Sequence, residues 1–332
     1  MHEIIYNSLY RRFMEVDTML KVCLVGCGGI STVHIPAWEA IEDATLAALC
    51  DVRPEMMAPY PTKRHYSSLE AMLDQEKPDI LDICLPTYLH TQASIMALER
   101  GIHVICEKPI SLRREDVSLI CDAAHRGNAK FMVAQVLRFW PEYEYLRQIF
   151  VSGRYGRLLA GTMSRIGMRP QRSYNQWMME PTLSGMVPFD LHIHDLDFMT
   201  YAFGAPQKSD HFRAHKANQD YLTAVYSYPD FHILAEAAWY DAPYPFRAWF
   251  RFQFEDALVT NEGELTVYEN SGKTLHPFED SDSPLLCPYV QPGSNPYANE
   301  IRYFADCVRQ DLPITKVRPE ELLQVIDLIK DV

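Results

Sequence analysis

The chain has 332 residues, 48% of them hydrophobic and 23% charged, with 44 acidic against 31 basic side chains and a formal net charge of −13. This length exceeds one typical domain and suffices for two, each with its own core. The acidic balance lacks the basic footprint that nucleic acid or an anionic membrane requires, so the expected partner is a small neutral molecule.

The first eighteen residues, "MHEIIYNSLYRRFMEVDT", have neither the apolar core of a secretory signal nor the acid-poor composition of a transit peptide. They read as an extension, with Met19 opening the domain. No apolar run approaches the length of a membrane span, so a soluble protein is expected. Of the eight cysteines, Cys23, Cys50, Cys84 and Cys106 lie within or at the end of apolar runs, where a free thiol behaves as a small hydrophobe. That usage points to a reducing cytoplasm. Cys23 and Cys27 have no zinc-ligand spacing and no second pair to complete a site, so no metal is expected there.

From residue 20, strand and helix patterns alternate. "LKVCLVG", "ATLAALCD", "DILDICLP", "HVICE" and "FMVAQV" are short apolar strands, separated by segments of helical spacing that end at Gly or Gly-Asn. Strands apolar throughout belong to a parallel sheet covered on both faces. The expected fold is α/β: a doubly wound parallel sheet of Rossmann type over residues 19–140. An α+β domain with an open, mainly antiparallel sheet should follow over 141–332. In that second part "DYLTAVYSY", "FHILAEAAWY" and "FRAWFRFQFE" alternate in hydrophobicity, the last with Phe250, Phe252 and Phe254 on one face. "NEIRYFADCVRQDLP" and "PEELLQVIDLIKDV" close the chain as amphipathic helices. The aromatic sheet surface exceeds what helices of one domain would cover, which predicts a homodimer or homotetramer.

"VCLVGCGGIS" sets Gly26, Gly28 and Ser31 in the spacing G-x-G-x-x-S between the first strand and a helix. The first glycine allows the tight turn, the second admits a pyrophosphate to the backbone, and a small third residue lets helix and strand pack closely. Asp51 ends the next strand, where a carboxylate would hydrogen-bond the adenosine ribose and repel a 2′-phosphate. NAD is therefore expected over NADP, although Arg53 leaves NADP open. "HVICEKPISL" ends a buried strand with Glu107, Lys108 and Pro109, which places Lys108 toward the ligand side of a parallel sheet. A solvated lysine paired with Glu107 is the plain alternative.

"SGMVPFDLHIHDLDF", residues 184–198, holds three carboxylates and two histidines. A strand would put Asp190, His192 and His194 on one side as metal ligands, whereas a helix groups Asp190, His194 and Asp197 and turns His192 away. Phe189, Ile193, Leu196, Met199 and Phe203 recur at helical spacing, Pro188 suits a first turn and Gly204 an end, so a helix is predicted and the H-x-H metal reading is weakened.

Taken in order, G-C-G-G-I, H-I-P-A, D-V-R-P-E, L-P-T-Y-L-H, G-I-H-V-I-C-E-K-P, V-L-R-F-W-P-E-Y and H-D-L-D-F resemble the Gfo/Idh/MocA family of NAD(P)-dependent oxidoreductases. The resemblance runs from about residue 20 to the last helix. It implies hydride transfer between a nicotinamide cofactor and a hydroxyl or keto carbon of a sugar, polyol or cyclitol. It maps the catalytic set onto Lys108, Asp190 and His194. It maps cofactor contacts onto Gly26, Gly28, Gly29, Ile30, Asp51, Arg53, Leu85, Pro86, Thr87, His90, Glu107 and Lys108. Arg138, Tyr174 and Trp177 fall at substrate-pocket positions, with a core or rim role open for each, and Arg165 and Arg169 read equally well as plain sheet-surface charges. Met186 and His192 stand where resembling sequences carry glycine, which puts the pocket shape in question.

Chemically, His194 would take the alcohol proton, Asp190 would orient the imidazole from one turn earlier, and Lys108 would stabilise the alkoxide. His192 is expected to line the cleft or support it. Three rivals are an NAD-dependent glycosidase acting by transient oxidation, a dinucleotide-sensing protein without catalysis, and a metal-dependent hydrolase, which would have to bind a metal.

Overall fold

The computed structural model describes residues 19–216, 218–275, 277–279, 288–330 and 332; the expected extension, residues 1–18, lies outside them. Strands β1 (Leu20–Val25), β2 (Ala44–Cys50), β3 (Arg64–Tyr66), β4 (Ile80–Ile83), β5 (His103–Glu107) and β6 (Phe131–Ala134) form one sheet in the order β3-β2-β1-β4-β5-β6. Every pairing in it is parallel. Helices α1 (Ser31–Glu39), α2 (Pro54–Met57), α3 (Leu69–Glu76), α4 (Thr87–Leu98) and α5 (Arg114–Gly127) make the crossovers. The order reverses between β1 and β4, the switch point where this architecture opens a ligand crevice at the carboxyl ends of the strands. Continuous apolar sequence made these strands legible: β4, β5 and β6 are buried along almost their full length.

The second sheet has the order β14-β13-β12-β11-β7-β10-β9-β8. Its strands are β7 (Leu158–Met168), β8 (Lys208–Lys216), β9 (Gln219–Ser227), β10 (His232–Tyr240), β11 (Arg247–Phe254), β12 (Ala257–Thr260), β13 (Thr266–Glu269) and β14 (Gly272–Leu275). All pairings are antiparallel except β7 with β10. Phe250, Phe252 and Phe254 are buried while Arg251, Gln253 and Glu255 face out. Burial of each ring stabilises the fold by about 1.5–3 kcal/mol. The inner face packs on α6 (Pro141–Ser152) and on the later helix α8 (Ile193–Phe203), with Leu146, Ile149, Leu196 and Met199 in the shared core. Between them in sequence, α7 (Pro181–Ser184) packs on α4 of the first domain.

The closing helices depart from the sequence assignment to the second domain. Helix α9 (Pro296–Arg309) packs on α1, and Ile301, Phe304 and Cys307 join the first domain's core. Helix α10 (Pro319–Lys330) divides its apolar face, sending Leu322 and Ile326 into the first core and Val325 and Ile329 into the second. Amphipathic spacing marks such a helix without saying which core its apolar stripe will meet.

Arg138 also departs from its expected place in a substrate pocket. It is fully buried, with Nε donating to Asp197 Oδ2 at 2.8 Å, Nη2 to Oδ1 at 2.6 Å and Nη1 to the Lys316 carbonyl and Glu321. Burial works against the guanidinium charge, but Asp197 and Glu321 outweigh it and hold the group cationic. This pair ties α8 to α10 inside the protein.

The described cysteines, Cys23, Cys27, Cys50, Cys84, Cys106, Cys121 and Cys307, are free thiols. Burial raises the thiol pKa of Cys23, Cys27 and Cys50 to about 12, which fits their packing role. No helix among the described residues is long and apolar enough to cross a membrane.

Candidate active site

A cavity of about 200 Å³ lies where the carboxyl ends of β5 and β6 face the second domain. Its walls include Ile30, Glu107, Lys108, Ala134, Val136 and Tyr297 from the first domain and the helix packed on it, and Arg165, Asp190, Leu191, His194 and Phe246 from the second. A larger cavity, of about 620 Å³, is lined by Asp79, Arg100 and His103. His103 begins β5 and Glu107 ends it, so that cavity sits at the amino end of the sheet, remote from Lys108.

Lys108 follows β5 directly, joined to Pro109 by a cis peptide. Its Nζ donates to Asp190 Oδ1 at 3.0 Å and to the Asp190 carbonyl at 2.8 Å. An ammonium carries three N–H groups, so one remains for a ligand oxygen. The predicted helix begins with a π-helical turn over Pro188–His192 before α8. The backbone of this turn sets Asp190 at the wall of the cavity, within reach of Lys108. Asp190 holds Lys108 through its carboxylate and its carbonyl, and among the described residues no hydrogen bond joins it to His194, which corrects its expected role of orienting the imidazole. Asp197, grouped with Asp190 and His194 by helical spacing, instead turns inward to Arg138.

His194 lines the cavity, and its Nδ1 is buried without a hydrogen-bond partner. Burial, followed by the nearby charges of Lys108 and Arg165, lowers its pKa well below the ordinary 6.5. It is a neutral imidazole at physiological pH. His192 leaves the helix in another direction, is fully buried, and has Nε2 at 2.5 Å from the Tyr226 hydroxyl. The two histidines thus do not converge on a metal, and His192 lies in the core instead of lining the cleft.

The positions at which resembling sequences carry glycine behave differently from each other. Met186 has φ 60°, a left-handed backbone that favours glycine, while His192 has ordinary helical angles. Met186 packs with Val187, Leu191, Leu222, Ala237 and Trp239. Neither bulky side chain is part of the cavity wall, so the expected change in pocket shape does not follow from them.

Arg165, read as a possible surface charge, is buried at the cavity wall with Nη2 donating to Asp195 Oδ1 at 2.9 Å and to the Tyr143 hydroxyl. Arg169 fits the surface reading, paired with Asp241 at 2.7 Å. Tyr297 enters the cavity wall from α9, more than a hundred residues from His194, and no local sequence signal marks it.

Beneath Lys108, Glu107 Oε2 accepts from the Lys108 backbone N–H at 3.0 Å, and Oε1 lies 3.0 Å from His34 Nε2. His34 Nδ1 lies 2.8 Å from Asp82 Oδ2, which also accepts from Trp38 Nε1 at 2.7 Å. Burial opposes charge on His34, but Asp82 outweighs it and raises the imidazole well above its ordinary value. His34, Asp82 and Cys84 are close enough to suggest a metal cluster, yet the hydrogens of His34, Trp38 and Cys84 already occupy the Asp82 oxygens. The histidine carried no assignment from sequence because its partners lie on other strands.

The glycine turn fits a dinucleotide. Gly26 has φ 92°, and a Cβ there would meet the Cys84 carbonyl oxygen at 2.5 Å. At Gly28 and Gly29 a Cβ would meet nothing within 4 Å, leaving open space over the backbone at the start of α1. Asp51 follows β2; Oδ2 accepts from Cys27 N at 2.9 Å and Oδ1 from Arg53 N at 2.9 Å. Arg53 Nε and Nη2 cover the same carboxylate at 3.2 and 3.3 Å. Leu85, Pro86 and Thr87 lead into α4 at the switch point. His90 is buried between the Pro109 and Leu85 carbonyls, at 2.8 and 2.7 Å, so it braces this loop against the Lys108 segment.

Tyr174 and Trp177 are not in the cavity wall either. Tyr174 lies against Arg53, 5.0 Å from guanidinium carbon to ring centroid, and Trp177 packs edge-on against Tyr88 at 6.2 Å. Both reach from the second domain to the rim of the first.

Residues 20–135 match the model of an oxidoreductase family with an NAD-binding Rossmann fold, and residues 143–257 match the GFO/IDH/MocA C-terminal domain. D-glucoside 3-dehydrogenase of Escherichia coli is 28% identical over 192 residues, 56% of this chain and 55% of that protein. Myo-inositol 2-dehydrogenase of Thermotoga maritima is 26% identical over 190 residues, again 56% and 55%. The chain spans about half the length of these curated relatives. Among solved structures, an oxidoreductase from Agrobacterium radiobacter in complex with NAD+, L-tartaric acid and magnesium superposes with TM-score 0.75 at 19% identity, covering 94% of this chain and 95% of that one. The WlbA dehydrogenase from Bordetella pertussis, in complex with NADH and UDP-GlcNAcA, gives 0.75 at 22% identity with 94% of each chain covered. At such identities the structural likeness shows the fold.

Proposed function

Because the chain belongs to the Gfo/Idh/MocA oxidoreductase family, whose amino-terminal unit is an NAD-binding Rossmann fold, we propose that it oxidises a hydroxyl carbon of a small neutral sugar, polyol or cyclitol, or reduces the corresponding ketone. The observation that carries this reading is the meeting of Lys108, Asp190 and His194 at one cavity beyond the carboxyl ends of the strands. The two cations at its wall, Lys108 and Arg165, are each matched to a carboxylate, Asp190 and Asp195. Such a charge-balanced wall favours hydroxyl groups over an ionic substrate.

Bound NAD would accept hydride from the alcohol carbon. The chain's residues manage the proton. A secondary alcohol has a pKa of about 16 and must lose its proton as hydride leaves. Neutral His194 accepts that proton, and the third N–H of Lys108 stabilises the developing alkoxide. Asp190 fixes the Lys108 ammonium through both its side chain and its carbonyl. Glu107, held by His34, sets the backbone from which Lys108 projects. For ketone reduction the same groups return the proton.

Phe212, Tyr221 and Leu234 are exposed on the second sheet, which supports a homodimer or homotetramer formed through that face. Free buried thiols support a cytoplasmic setting. The test is a screen of sugars, inositols and their keto forms for a change in NADH absorbance. Stoichiometric NADH formation supports dehydrogenation; glycoside cleavage without net NADH would replace it with redox-neutral elimination.

A further inference from the structure

Tyr174 and Trp177 lie on one short segment of the second domain, and each touches the first domain at a different bank of the dinucleotide groove. Tyr174 meets Arg53, just beyond β2, and Trp177 meets Tyr88, in the first turn of α4 just beyond β4. In the sheet order, β1 lies between β2 and β4, so the segment spans the glycine turn that follows β1. The segment is braced from within: Met178 N donates to Ser173 Oγ at 3.4 Å, and Ser184 Oγ donates to the Met178 carbonyl at 2.8 Å. Asn175 and Gln176 between the two aromatics take left-handed φ of 49° and 54°, which turns the rings toward separate contacts.

We propose that residues 173–180 form a strap over the bound dinucleotide, with Tyr174 completing its adenosine end from the second domain. This rests on the NAD reading above. Four N–H contacts occupy the Asp51 carboxylate, one from Cys27 and three from Arg53. A carboxylate offers about four lone-pair sites, so adenosine ribose binds only when the Arg53 guanidinium leaves it. The Tyr174 ring already lies on that guanidinium while it covers Asp51, and once the guanidinium is displaced the ring offers its aromatic face to adenine. The cofactor is thereby enclosed by both domains, and its release requires the strap to lift.

The experiment is stopped-flow release of NADH, chased with excess NAD, from the parent protein and from Tyr174→Ala, Trp177→Ala and Trp177→Phe. Both alanine variants should release NADH about tenfold faster, the scale of one lost aromatic contact, while Trp177→Phe stays near the parent. Chymotrypsin cleavage after Trp177, a site present in both proteins, should be suppressed by NADH in the parent and much less in Tyr174→Ala. Parental release rates in both alanine variants, with thermal melts unchanged, overturn the strap while leaving the NAD reading intact. A parent that binds no NADH overturns both.

Discussion

Asp190 is bound to Lys108 through two of its oxygens, 3.0 Å from the side chain and 2.8 Å from the carbonyl, although spacing in the sequence pairs it with His194. Its contribution to turnover therefore runs through the lysine. Lys108→Ala should lower kcat by about 10²-fold to 10⁴-fold, the range for losing an alkoxide-stabilising or proton-transfer group. Asp190→Asn should cost less, about tenfold, because the carbonyl contact to Lys108 survives. In the Lys108→Ala background Asp190→Asn should add almost nothing, since the two residues act as one unit. Steady-state kinetics on the four proteins checks this; full additivity would return Asp190 to His194.

His194→Ala should also lower kcat by about 10²-fold to 10⁴-fold with NAD affinity little changed. Burial holds the parent imidazole neutral, so the acid limb of the kcat profile should fall well below pH 6.5. A limb at 6.5 would mean that the imidazole is solvated.

Stability carries the same signature. His192 has its pKa pushed down by burial to about 3, and His194 is lowered too. Below pH 6.5 the unfolded chain protonates these groups while the folded chain does not, so acidification favours unfolding. Each group removes about 1.4 kcal/mol per pH unit between 6.5 and its folded value. His34 has the opposite sign: its raised pKa gives stability present below 6.5 and lost as pH rises through the folded value. His192→Gln should flatten the acid slope of urea unfolding free energy measured at pH 7, 6 and 5. An unchanged slope would place a proton on His192 in the native state.

Cofactor choice depends on Asp51 and the arginine covering it. NAD should bind at least about tenfold more tightly than NADP, because a 2′-phosphate would meet the carboxylate. Asp51→Ser should narrow or reverse that gap by freeing Arg53 to pair with phosphate. Fluorescence titration of both nucleotides on both proteins measures it, and equal parental affinities would show that Arg53 already governs the site.

Arg138→Ala leaves Asp197 buried, and Glu321 partly buried, beside a void. Breaking one side of a buried ion pair costs about 3–5 kcal/mol, so the variant should melt far below the parent or fail to fold. Arg138→Lys keeps the charge without the fork and should fold with reduced stability and a substrate KM near parental, because residue 138 is not in the cavity wall. A large KM increase in stably folded Arg138→Lys would restore the substrate-pocket reading.

The chain by itself determined the Rossmann sheet, the glycine turn with Asp51, the strand-end Lys108 and the helix bearing Asp190 and His194, because each is written in local periodicity or in a short spacing. Matching to a family added the expectation of hydride transfer on hydroxylated substrates. Tertiary structure alone decided which charges are buried and what they face. Arg138 and Arg165 are both arginines near aromatic residues, yet one is sealed against Asp197 and the other meets the cavity. Tyr297 comes to the site only because α9 folds back on α1, and His34 reaches Glu107 across strands 73 residues away in sequence. Asp190 meets Lys108 rather than His194 because the fold carries the end of β5 to the start of this helix, a contact between residues far apart in sequence that no local spacing records.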